Sequence, residues 1–126
     1  MIKQIINVNN KWKVIVYYNV DYNLFHYIYT TFRNAGISKR TINNIYKNMS
    51  SNKAKAVTVS NIDKKISVVL FNNHTNKYDY INSIVHEAEH IKQAMLEGYN
   101  ISDSGESPAY TIGYLVMKML EFFTLL

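Results

Sequence analysis

Two histidines and a glutamate in Ser83-Ile84-Val85-His86-Glu87-Ala88-Glu89-His90-Ile91-Lys92-Gln93 have the residue types and spacing of a metal site. On a helix, His86 and His90 stand one turn apart on one face, where both imidazoles can reach a single tetrahedral Zn²⁺. Glu87 projects about 100° round from His86, beside such an ion rather than onto it. A carboxylate there suits a general base acting on metal-activated water. Two imidazoles leave the site one protein ligand short, with the fourth position kept for water. The chain has no Cys, and its other histidines, His26 and His74, lie outside this stretch. Glu106, in Ser104-Gly105-Glu106-Ser107-Pro108-Ala109-Tyr110, is the best candidate for the third ligand. N/O ligation of this kind suits zinc first and other divalent ions after it.

These residues need two helices to position them. Ile81, Ile84, Ala88, Ile91 and Met95 form one apolar stripe at helical spacing, with Thr75 or Asn76 as cap and Gly98 as stop. The wheel sets His86 and His90 nearly opposite that stripe, on a polar ridge with Ser83, Gln93 and Glu97. In the next helix Ser104 or Gly105 serves as cap, and Pro108 fits only in the first turn. Its expected buried stripe is Ala109, Ile112, Val116, Met119 and Phe123, widened by Leu115 and Leu120. Glu106, Tyr110, Gly113 and Met117 share a different face. Gly113, with no side chain, would let that face approach the His86 helix closely. Tyr110 lies one turn beyond Glu106, so its phenol is a candidate to stabilise a reaction intermediate.

Upstream, residues 2–8 and 12–20 read as strands joined by a turn at Asn9-Asn10. Trp12, Val14, Val16 and Tyr18 make one face of the second strand apolar, while Lys13, Ile15 and Tyr17 make the other only partly so. Asp21 caps a helix to about Asn34, with Phe25, Ile28, Tyr29 and Phe32 as its seam and Gly36 as its stop. Ser38 opens a shorter helix whose seam is Ile42, Ile45, Tyr46 and Met49. Ala54 to Ser60 and Lys65 to Phe71 then read as a hairpin. The order is β-β-α-α-β-β-α-α over one domain, residues 1–126. That is an α+β chain with a small, twisted, largely antiparallel sheet packed on helices.

Composition narrows the setting. An apolar content of 48% argues against disorder, and the absence of Cys fits a reducing compartment. Lys and Arg, net +5, are spread along the chain, so no dedicated nucleic-acid patch is expected. The first residues are too short an apolar run for a signal peptide, and no run is long enough to span a membrane. A cytoplasmic protein is expected.

His86-Glu87-x-x-His90, followed by a helix bearing Glu106-x-x-Ala109-Tyr110, resembles the gluzincin branch of the zincin metallopeptidases. Within it the chain is most similar to small phage- or prophage-encoded peptidases. The resemblance implies a zincin-like fold, with a sheet over the zinc helix and an edge strand that holds an extended peptide substrate. The edge would be strand 54–60 or 65–71. It also implies zinc on His86, His90 and Glu106, and peptide hydrolysis with Glu87 as base. The spacer from His90 to Glu106 is shorter than in the larger gluzincins. Tyr110 stands where thermolysin-like enzymes often carry an acid. Three functional readings follow: a zinc peptidase, a zinc-binding zincin-fold domain with a binding or regulatory role, and a metal-free helical scaffold.

Overall fold

A computed structural model describes residues 1–99 and 106–122, with Glu106 described by its backbone alone. The strands are β1 (Ile2–Val8), β2 (Trp12–Tyr18), β3 (Ala56–Asn61) and β4 (Ile66–Phe71). The helices are α1 (Phe25–Asn34), entered through a 3₁₀ turn at Tyr22–Leu24, α2 (Lys39–Ser50), α3 (Lys77–Tyr99) and α4 (Glu106–Leu120). The element order expected from the sequence holds throughout.

One four-stranded sheet carries the order β1-β2-β4-β3. The hairpins β1/β2 and β3/β4 are antiparallel, and they meet through a parallel β2/β4 pairing. The sheet is therefore mixed, where a largely antiparallel one was expected. Parallel pairing becomes possible because α1, α2 and β3 intervene between β2 and β4, giving the chain room to cross over. Of the two strands expected as the possible edge, β3 is the edge and β4 is central.

Helices cover both faces. Trp12, Val14, Val16, Tyr18, Val69 and Phe71 pack with Ile84, Ala88 and Ile91 of α3 and with Leu115 and Met119 of α4. Ile15, Tyr17, Val68 and Leu70 pack with Ile28 and Phe32 of α1 and with Ile42, Ile45 and Met49 of α2. The second face of β2 is thus buried as fully as the first, and Ile15 and Tyr17 belong to a second core. Tyr46, expected in the α2 seam, is 41% exposed. Strand β2 also ends earlier than expected. Asn19 takes a left-handed φ of 53°, and Val20 rejoins the sheet only through its N–H to the Phe71 carbonyl at 3.1 Å.

Local chemistry sets the boundaries. Asn9 and Asn10 adopt φ of 52° and 55° in the β1/β2 turn, a left-handed conformation that Asn tolerates. Ser38 Oγ accepts the Thr41 N–H at 3.2 Å at the start of α2, and Gly36 closes α1 at φ 81°. Asn76 Oδ1 accepts the Asp79 N–H at 3.0 Å, so Asn76 rather than Thr75 caps α3. Gly98 does not stop α3, which runs to Tyr99. Its role is close approach: a Cβ there would lie 2.9 Å from the Trp12 ring.

After β4, Asn72 ties the two halves of the chain together. Its side-chain NH₂ donates to the carbonyls of Met49 (2.9 Å) and Ala54 (3.2 Å), and its Oδ1 accepts from the Tyr22 hydroxyl. Asn72→Ala should therefore cost about 2–4 kcal/mol in urea unfolding, because it strands several largely buried partners at once. A loss below about 0.5 kcal/mol would show that solvent replaces those bonds.

Helix α4 is anchored on β1 and β2. Gln4 donates to the Lys118 carbonyl at 2.8 Å, while the Tyr18 hydroxyl donates to Gln4 Oε1 at 2.6 Å. Burial raises the Tyr18 pKa well above the ordinary tyrosine value, so its hydroxyl stays a donor. The anchoring rotates α4 relative to the stripe expected from sequence. Leu115 and Met119 are fully buried, Ala109 is exposed, and Ile112, Val116 and Leu120 are half-buried. Phe123, Ser104 and Gly105 lie outside the described residues. Gly113 has no atom near its Cβ position among the described residues, and Tyr110 and Met117 are exposed. The close approach to α3 expected at Gly113 is not seen there, and Leu115 and Met119 supply the packing instead.

Candidate metal centre

The central turns of α3 present two faces of opposite character. Ile84, Ala88 and Ile91 are fully buried against the sheet, as the apolar stripe predicts, while Ile81 is only half-buried. His86 and His90 are exposed, with Gln93 and Glu97, along the polar ridge. The two imidazoles converge: His86 Nε2 and His90 Nε2 lie 3.1 Å apart, with ring centroids at 4.8 Å. Two nitrogens bound to one tetrahedral zinc at about 2.0–2.1 Å would lie about 3.3 Å apart. The pair is therefore close to the spacing of two ligands on one ion, with the same nitrogen of each ring turned inward. This convergence fits the metal that the sequence motif implies.

Glu87 sits quite differently from its neighbours. It is 4% exposed, within the sheet-facing side of α3 between Ile84 and Ile91. Its Oε1 accepts a hydrogen bond from Thr58 Oγ1 of β3 at 2.9 Å.

Glu106, expected as the third ligand, opens α4, and its side chain lies outside the described residues. Its neighbour Ser107 lines a cavity with Lys92, Met95, Leu96, Tyr99 and Thr111, so the first turn of α4 lies beside the last turns of α3. Among the described residues no group of three His, Asp or Glu side chains is arranged to hold an ion. Glu106→Gln should weaken zinc binding strongly while leaving urea unfolding of the zinc-free protein within about 0.5 kcal/mol, as for an ordinary helix-start substitution. Unchanged zinc affinity would remove Glu106 from the ligand set.

Tyr110 is 73% exposed and borders a depression with Val8, Asn9, Ser107, Thr111 and Tyr114. No contact among the described residues joins it to His86, Glu87 or His90. His74 is engaged elsewhere, with Nδ1 2.7 Å from the Asn72 carbonyl and Nε2 2.8 Å from Ser83 Oγ. His26 lies against the Tyr27 ring in a tilted contact at the surface of α1.

Sequence reasoning did not single out Thr58. The signal was present in β3, where Ala56, Thr58 and Ser60 alternate with Val57 and Val59. The small and polar set faces α3. Ser60 is committed to Ser67 at 2.7 Å, which also accepts the Trp12 indole N–H at 2.9 Å, so Thr58 is the hydroxyl that meets Glu87.

Comparison of the chain with family models, with curated proteins and with solved structures finds no match. No described helix is long and apolar enough to cross a membrane.

Proposed function

We propose that this chain is a zinc-dependent peptidase of the gluzincin type, with His86, His90 and Glu106 as ligands and Glu87 as general base. The observation that carries the reading is the convergence of His86 Nε2 and His90 Nε2 at 3.1 Å, with the buried Glu87 next to His86 in sequence. Zinc at the pair would supply Lewis acidity, polarising the scissile carbonyl and bringing the pKa of water towards neutrality. Glu87 takes a proton from the attacking water and passes it to the leaving amine. The outer side of β3, which pairs with no strand among the described residues, suits an extended peptide held by backbone hydrogen bonds. Tyr110 has no role that its described contacts support.

A second reading is a zinc-binding module without catalysis. It is favoured by the open setting of His86 and His90 on an exposed helix face. Metal analysis of native protein, followed by hydrolysis of a mixed peptide library with and without chelator, tests both. One zinc per chain and chelator-sensitive cleavage supports the peptidase. Zinc without cleavage supports the module, and absence of stoichiometric metal overturns both.

A further inference from the structure

We infer that Thr58 is a positioning residue for Glu87, fixing one carboxylate oxygen so that the other stays free for proton transfer. This inference rests on the reading of Glu87 as general base. Thr58 Oγ1 donates to Glu87 Oε1 at 2.9 Å, and no hydrogen bond to Oε2 is found among the described residues. The carboxylate is thus held at one oxygen, while the other makes no hydrogen bond among the described residues.

Geometry explains why this hydroxyl can hold the side chain still. Thr58 lies opposite Val69 in the β3/β4 ladder, so its backbone is fixed by the sheet. Glu87 rises from a helix whose neighbouring Ile84, Ala88 and Ile91 are fully buried. Both ends of the hydrogen bond are therefore on rigid elements. A glutamate has three side-chain torsions, and without an anchor its carboxylate samples several orientations. Misplacing a catalytic group by about 1 Å can cost on the order of 10²-fold in rate.

The link also joins the site to the sheet edge. Thr58 belongs to β3, which has no strand on its outer side among the described residues. A peptide paired to that edge would lie on the same strand as the residue that orients the base. Substrate alignment and base alignment would then share one strand.

The test uses full-length protein with Thr58→Val, which removes the hydroxyl at nearly constant shape, and Thr58→Ser, which restores it. Turnover of a cleaved library peptide should fall about 10–100-fold in kcat in Thr58→Val, with KM within about twofold. Thr58→Ser should recover most of kcat, and zinc content should stay at the wild-type level in both. In zinc-free protein, side-chain couplings and the carboxyl ¹³C resonance of Glu87 should show one rotamer in wild type and in Thr58→Ser. Thr58→Val should show rotamer averaging. Wild-type kcat in Thr58→Val, or an unchanged Glu87 rotamer, overturns the positioning role while leaving the base intact if Glu87→Gln is inactive. Full turnover in Glu87→Gln, or no hydrolysis by wild type, overturns the base reading itself and this inference with it.

Discussion

Alanine at His86 or His90 should abolish stoichiometric zinc binding by the chain. The two Nε2 atoms lie 3.1 Å apart, so each imidazole is half of a preformed pair. Removing one leaves at most two protein ligands, too few for a tetrahedral site with tight affinity. The loss should exceed the about 10–100-fold that follows removal of a mere outer-shell partner. Both histidines are exposed on the polar face of α3, so neither substitution opens a cavity. Zinc-free stability should therefore stay within about 0.5 kcal/mol of wild type. Protection by added zinc should disappear, because an ion that binds only the native state raises apparent stability in proportion to its affinity. Metal analysis after gel filtration, with unfolding curves at matched zinc concentrations, reads both effects. Full zinc retention in both variants would sink the site.

The same helix shows how far the sequence could be read. The period of Ile84, Ala88, Ile91 and Met95 placed the histidines on the outward face correctly, because a helix in contact with a sheet must turn its apolar stripe inward. It did not place Glu87, which a wheel puts near the stripe and the motif puts at a metal. Burial at 4% and the bond to Thr58 arise from β3 passing over that point, a long-range pairing without local signal. The strands and turns were legible for local reasons, such as Asn9-Asn10 in the left-handed region and Ser38 at an N-cap. The parallel β2/β4 pairing was not, since nothing in either strand records which neighbour it meets. Buried Ile15 and Tyr17 carry a trace of it, as a central strand needs two apolar faces. The misplaced α4 stripe has a similar origin. Its sequence is apolar on several sides, and Gln4 and Tyr18 select the rotation by binding the Lys118 and Met119 carbonyls. Glu106 opens α4, and its proposed part in metal binding rests on the sequence motif.

Glu87→Gln should keep zinc, keep the fold and lose peptide hydrolysis. The substitution preserves shape, and the amide oxygen can still accept from Thr58 Oγ1, which now lies 2.9 Å from Oε1. It removes the basic oxygen that proton transfer needs, and loss of a general base typically costs about 10²–10⁴-fold in rate. Stability supplies an independent reading of the same residue. Gln is isosteric with the 4% exposed Glu87 and keeps the oxygen that accepts from Thr58, so Glu87→Gln should unfold at a urea concentration close to that of wild type. Zinc affinity should be unchanged, because Glu87 is not one of the proposed ligands and its carboxylate is held by Thr58. The inactive variant should also retain bound peptide, since the β3 edge is untouched, so its substrate can be recovered by mass spectrometry. Wild-type turnover in Glu87→Gln would remove the mechanism. Zinc-loaded wild type that cleaves no peptide in a broad library would instead favour the binding module. Glu87 would then be a buried acid that ties α3 to β3 through Thr58.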